Sequence, residues 1–69
     1  MAEPTICRAR LLTRGFGNSE GDVVLVKEID KSENIYYYDE FRRWCYTEKG
    51  TYEIITRKFD INEYIAKSM

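Results

Sequence analysis

The sequence predicts a mainly β domain, a small five-stranded barrel with a short C-terminal helix. Three observations carry this: five short runs rich in β-branched and aromatic residues, polar or glycine-bearing turns between them at regular intervals, and one helix-start signal near the end. A barrel is the expected closure because it removes the edges that a flat sheet would leave open to aggregation.

Residues 1–5 read as a loose leader. Ile6, Cys7, Ala9, Leu11 and Leu12 then interleave with Arg8 and Arg10, the alternation of a first strand. The run Arg14-Gly15-Phe16-Gly17-Asn18-Ser19-Glu20-Gly21 gathers three of the four glycines and is a loop. Its backbone could cradle an anion, but no Gly-Lys-Ser/Thr ending or following helix is present, so a plain loop is expected. Phe16 within it is expected to pack back on the core. Residues 22–29, with Val23, Val24, Leu25 and Val26, form the second strand.

Asp30-Lys31-Ser32-Glu33-Asn34 is a polar turn, and Ile35-Tyr36-Tyr37-Tyr38 the third strand. Asp39-Glu40 reads as a two-residue turn into a fourth strand over 41–47. Glu48-Lys49-Gly50 leads to a fifth over 51–56. Asp60, with Glu63 three residues on, marks the start of a helix over 60–68 whose Ile61, Tyr64 and Ile65 share one face. A helix so short should dock on the barrel or on another subunit, and the alternative is that the segment stays extended. The chain is thus expected to be one domain over 1–69, with the barrel at 6–57.

Sixty-nine residues hold one core. A domain of this size buries only about 60% of its unfolded surface, so dimerisation is a candidate reinforcement. Residues 1–10 carry Glu3, Pro4, Arg8 and Arg10 where a secretory signal needs an apolar stretch, and no run approaches the ~20 apolar residues of a membrane span. A cytoplasmic protein without membrane association is expected. In that compartment Cys7 and Cys45 should be free thiols. The lack of histidine leaves no usual ligand set for structural zinc, and no cofactor is expected.

The same lack removes the commonest general base, and neither cysteine has an obvious activating partner, so no catalytic residue is assigned. Lysine and arginine number 11 against 12 acidic residues, mixed along the chain, which disfavours binding that rests on neutralised phosphates.

Arg8-Ala9-Arg10-Leu11-Leu12, then Gly21-Asp22-Val23-Val24-Leu25-Val26, and later Gly50-Thr51-Tyr52-Glu53-Ile54-Ile55 resemble the pattern of small SH3-like barrel proteins of tailed phages. The resemblance spans residues 8–55. It implies an SH3-like barrel and, since small phage proteins of this kind often act on host or defence proteins, an inhibitor or adaptor in the host cell. The chain departs from the pattern in its aromatic and arginine-dense segment 36–46 and its C-terminal extension.

That segment is the candidate site. With a two-residue turn at Asp39-Glu40, Ile35, Tyr37, Arg42, Trp44 and Tyr46 share one face, and Tyr36, Tyr38, Phe41, Arg43 and Cys45 the other. Both faces are aromatic, and one core cannot hold both. Trp44 is expected to point inward, so that Trp44→Ala would cost about 3–5 kcal/mol of stability. Tyr36, Tyr38, Phe41 and Arg43 are then the partner-binding residues. Twist could instead let the barrel bury part of each face. Tyrosine and arginine are typical of protein interfaces but also stack bases and hold phosphate. With Asp39 and Glu40 beside the arginines, a larger protein partner is preferred over nucleic acid or a nucleotide, and self-association is a third alternative.

Overall fold

The computed structural model describes residues 4–14 and 18–68, so the expectations for Phe16 and for the first part of the leader lie outside the described residues. The strands are β1 (Cys7–Leu11), β2 (Val23–Val26), β3 (Glu28–Ile29), β4 (Ile35–Tyr38), β5 (Trp44–Thr47) and β6 (Tyr52–Ile54), followed by helix α1 (Ile61–Ser68). They form two antiparallel three-stranded sheets in the orders β2-β1-β6 and β3-β4-β5.

The predicted second strand divides at Lys27. The Lys27 N–H donates to the Tyr36 carbonyl at 2.8 Å, while Glu28 is the ladder partner of Tyr36. Two residues therefore stand against one, a bulge that bends the strand from one sheet into the other. This accounts for six strands where five runs were read.

Alternation sets the core. Cys7, Ala9 and Leu11 of β1 face inward with Val24 and Val26 of β2, while Arg8 and Arg10 face out. The second sheet contributes Ile29, Ile35 and Tyr37. The helix covers this core with Ile61, Tyr64 and Ile65, as the sequence pattern predicts. Asp60 caps it: its Oδ1 accepts the Asn62 N–H at 2.9 Å and its carbonyl accepts the Tyr64 N–H at 3.0 Å. Eight residues do not hold a helix alone, and it is the apolar face on the core that retains it.

The hairpins on both sides of β4 use one turn twice. Asp30 and Asp39 each donate their N–H to the residue four ahead (Asn34, Arg43) and accept at their carbonyl the N–H of the residue three ahead (Glu33, Arg42). In each, one carboxylate oxygen accepts the N–H groups two and four residues on, at 2.8–3.0 Å. Glu33 and Arg42 take the left-handed conformation, with φ 65° and 61°. This is a three-residue loop, a type I turn followed by a left-handed residue.

The loop length overturns the two-residue turn at Asp39-Glu40. Tyr38 pairs with Trp44 and Tyr36 with Tyr46. The offset is odd, so β5 turns over relative to the expected register and every one of its side chains changes face.

Candidate functional site

The site is the outer face of the β4–β5 hairpin together with its turn. The β4 side chains lie as expected: Tyr37 points into the core and Tyr38 out, with Tyr36 half-buried on the outer face. The β5 side chains do not. Trp44, expected inward, is 44% exposed, Tyr46 is 58% exposed, and Cys45, expected outward, packs against the core. Arg42, also expected inward, is exposed in the left-handed turn position.

The outcome is one continuous aromatic surface. Tyr38 meets Trp44 edge to face at 4.8 Å between ring centroids, Trp44 stacks on Tyr36 at 6.0 Å, and Tyr36 meets Tyr46 at 5.8 Å. Both cross-strand pairs are non-hydrogen-bonded positions, where side chains approach most closely. At the turn end Phe41 is 64% exposed, and the Arg43 guanidinium lies 5.1 Å from its ring centre. Beside Tyr38 an open groove of about 360 Å³ runs to Val23, Leu25, Lys27 and Glu40. Of the sequence-assigned residues, Tyr36 and Tyr38 lie in the cluster and Phe41 and Arg43 at its rim. Trp44 and Tyr46 were missed.

Carboxylates hold the two turns, Asp39 buried and Asp30 half-buried. Asp39 is only 5% exposed, and beyond its N–H bonds its Oδ2 takes the Arg43 Nε at 3.0 Å and the Cys45 thiol at 3.6 Å. Arg43→Ala would therefore disturb the turn as well as any partner contact. Burial pushes the Asp39 carboxyl up, but the Arg43 N–H, the Arg43 side chain and the Phe41 N–H together outweigh it and hold the group below its ordinary value. Asp30 is lowered too, foremost by the Asn34 N–H and further by the Asn34 side chain, the Tyr36 hydroxyl and the Ser32 N–H against the upward push of burial.

The consequence is acid sensitivity. A carboxyl with a depressed folded pKa contributes stability above its unfolded value of about 3.9 and loses it as pH falls through the folded one. Urea midpoints should hold from pH 6 to about pH 4 and then drop, with a smaller drop in Asp39→Asn. A midpoint unchanged down to pH 2 would contradict this.

Both cysteines are free. Burial pushes the Cys7 thiol up to about 11, and burial followed by the Asp39 charge raises Cys45, so the surroundings activate neither thiol. Among the described residues, no cluster of cysteine, aspartate and glutamate is grouped to hold a metal, and no helix is long and apolar enough to cross a membrane. Comparison with protein-family models, with curated proteins and with solved structures gives no match to the chain.

Proposed function

We propose that the protein is a non-enzymatic binding module that docks on a larger protein through the outer face of the β4–β5 hairpin, as a phage-type inhibitor or adaptor acting on a host or defence protein in the cytoplasm. The observation that carries this reading is the unbroken contact of Tyr36, Tyr38, Trp44 and Tyr46 on a solvent-facing sheet. Large apolar surfaces of this kind are kept off the outside of small domains unless they are used, and tyrosine, tryptophan and arginine are the residues that dominate protein interfaces. The groove beside Tyr38 offers a pocket for one side chain of the partner. The scaffold is read as SH3-like: counting β2 and β3 as one strand bent at Lys27 leaves five strands, distributed over two sheets that share the bent one.

The test is capture of a partner from cell lysate on the immobilised domain, with and without nuclease, followed by titration of the isolated complex against salt. One protein retained after nuclease, with a shallow salt dependence, is expected. Loss on nuclease treatment, or an affinity falling steeply with salt, would indicate phosphate contacts and replace this reading with nucleic-acid binding.

A further inference from the structure

The unpaired edge of β5 carries information that the aromatic face does not. The Asp39 N–H donates to the Arg43 carbonyl, which makes that pair hydrogen-bonded. Antiparallel ladders alternate, so Tyr38/Trp44 and Tyr36/Tyr46 are non-hydrogen-bonded pairs, and the peptide N–H and C=O groups of Trp44 and Tyr46 point away from β4. Among the described residues no strand lies on that side, since β5 ends the sheet order. Natural edges are usually kept very short or blunted by proline, by a bulge or by lysine within the strand, and β5, four residues long, relies on shortness alone. The edge here is Trp44-Cys45-Tyr46-Thr47, with no proline, bulge or lysine.

We infer that this edge pairs with β5 of a second copy of the chain, antiparallel and centred on Cys45, so that the domain is a two-fold dimer with one sheet continuous across both copies. Only registers that place Trp44 and Tyr46 opposite outward-facing peptides can form hydrogen bonds, so the alternatives lie two residues apart. The centred register sets Trp44 against the second copy's Tyr46 and brings Arg42 opposite the second copy's Glu48, twice by symmetry. Neither Arg42 nor Glu48 has an ion pair among the described residues. A shift of two residues one way sets Arg42 against Gly50 and forfeits the pair, and the other way sets Arg42 against Tyr46 and Glu40 against Glu48. Charge therefore selects the centred register and with it a self-complementary partner. The inference is independent of the docking partner proposed above, because edge pairing leaves both outer faces uncovered and places the two aromatic surfaces side by side.

Geometry supplies the test. At the two-fold axis Cys45 meets its own copy in a non-hydrogen-bonded pair, with Cα atoms about 4.5 Å apart, inside the ~4.4–6.8 Å that a disulfide spans. Light scattering over a concentration series up to millimolar should show monomer and dimer, and diamide at alkaline pH, where the raised Cys45 thiol ionises, should link the dimer through Cys45, since Cys7 is buried. Tyr46→Pro, which removes an N–H that β4 does not use, should abolish the dimer while circular dichroism stays native. Tyr46→Ala should retain it. Arg42→Glu should weaken the dimer roughly tenfold, and adding Glu48→Arg should restore it. A monomer at every concentration, a dimer that survives Tyr46→Pro, or a dimer without Cys45 linkage would each overturn the inference. The charge swap and the linkage are read on chains with the β5 edge intact, so misfolding of the proline variant would not shield it.

Discussion

Tyr37→Ala is expected to cost the fold about 3–5 kcal/mol, as truncations of buried aromatic side chains do. Tyr37 is 2% exposed and among the largest fully enclosed side chains. Its hydroxyl also shares a 2.9 Å hydrogen bond with the Thr47 hydroxyl, which would be left without this partner. A domain of this length has roughly 3–10 kcal/mol of stability in total. Much of the variant population should therefore be unfolded at 25 °C, as read by circular dichroism and urea denaturation. Tyr37→Phe, which keeps the ring, should lose only about 0.5–1.5 kcal/mol. A Tyr37→Ala protein as stable as the parent would mean that β4 does not present this face to the core.

The contrast with Trp44 shows where the sequence could be read and where it could not. Alternation in β1 determines its inward residues without reference to any other strand, whereas β2 and β4 are apolar on both faces, and the expected inward facing of Ile35 and Tyr37 rests on an inward Trp44 that the structure does not show. The helix was legible because Asp60 and the spacing of Ile61, Tyr64 and Ile65 are local signals. The facing of β5 depends instead on how many residues the turn consumes. Glycine normally marks the left-handed position of a three-residue loop, and Arg42 stands there. A signal was present in the parallel between Asp30-Lys31-Ser32-Glu33-Asn34 and Asp39-Glu40-Phe41-Arg42-Arg43: each opens with an aspartate able to accept N–H groups two and four residues on. Read as the same turn, the two would have moved Phe41 and Arg43 out of the fourth strand and Trp44 to the outside. The bend at Lys27 left no such mark, because a bulge is fixed by the pairing of β3 with β4 and not by residue type at that position.

Trp44→Ala should therefore act on binding and only weakly on folding, the reverse of what an inward tryptophan would do. Trp44 touches both Tyr36 and Tyr38 and lies at the centre of the four-ring surface, where hot-spot side chains concentrate. Its loss should lower affinity for the captured protein partner by more than ~2 kcal/mol, and Tyr38→Ala by more than ~1 kcal/mol. The cost to the fold should stay near 1 kcal/mol, the scale of the aromatic contacts removed. Calorimetric titration of the isolated complex, paired with urea denaturation of each variant, separates the two effects. Phe41→Ala is the cleaner probe of the turn, because Arg43 is tied to the buried Asp39 carboxylate and its removal would loosen the hairpin itself. Trp44→Ala keeps the peptide N–H of the β5 edge, so it should spare pairing between copies that Tyr46→Pro destroys. If Trp44→Ala binds the partner within threefold of the parent protein while remaining folded, the aromatic face is not the contact surface, whatever becomes of the edge.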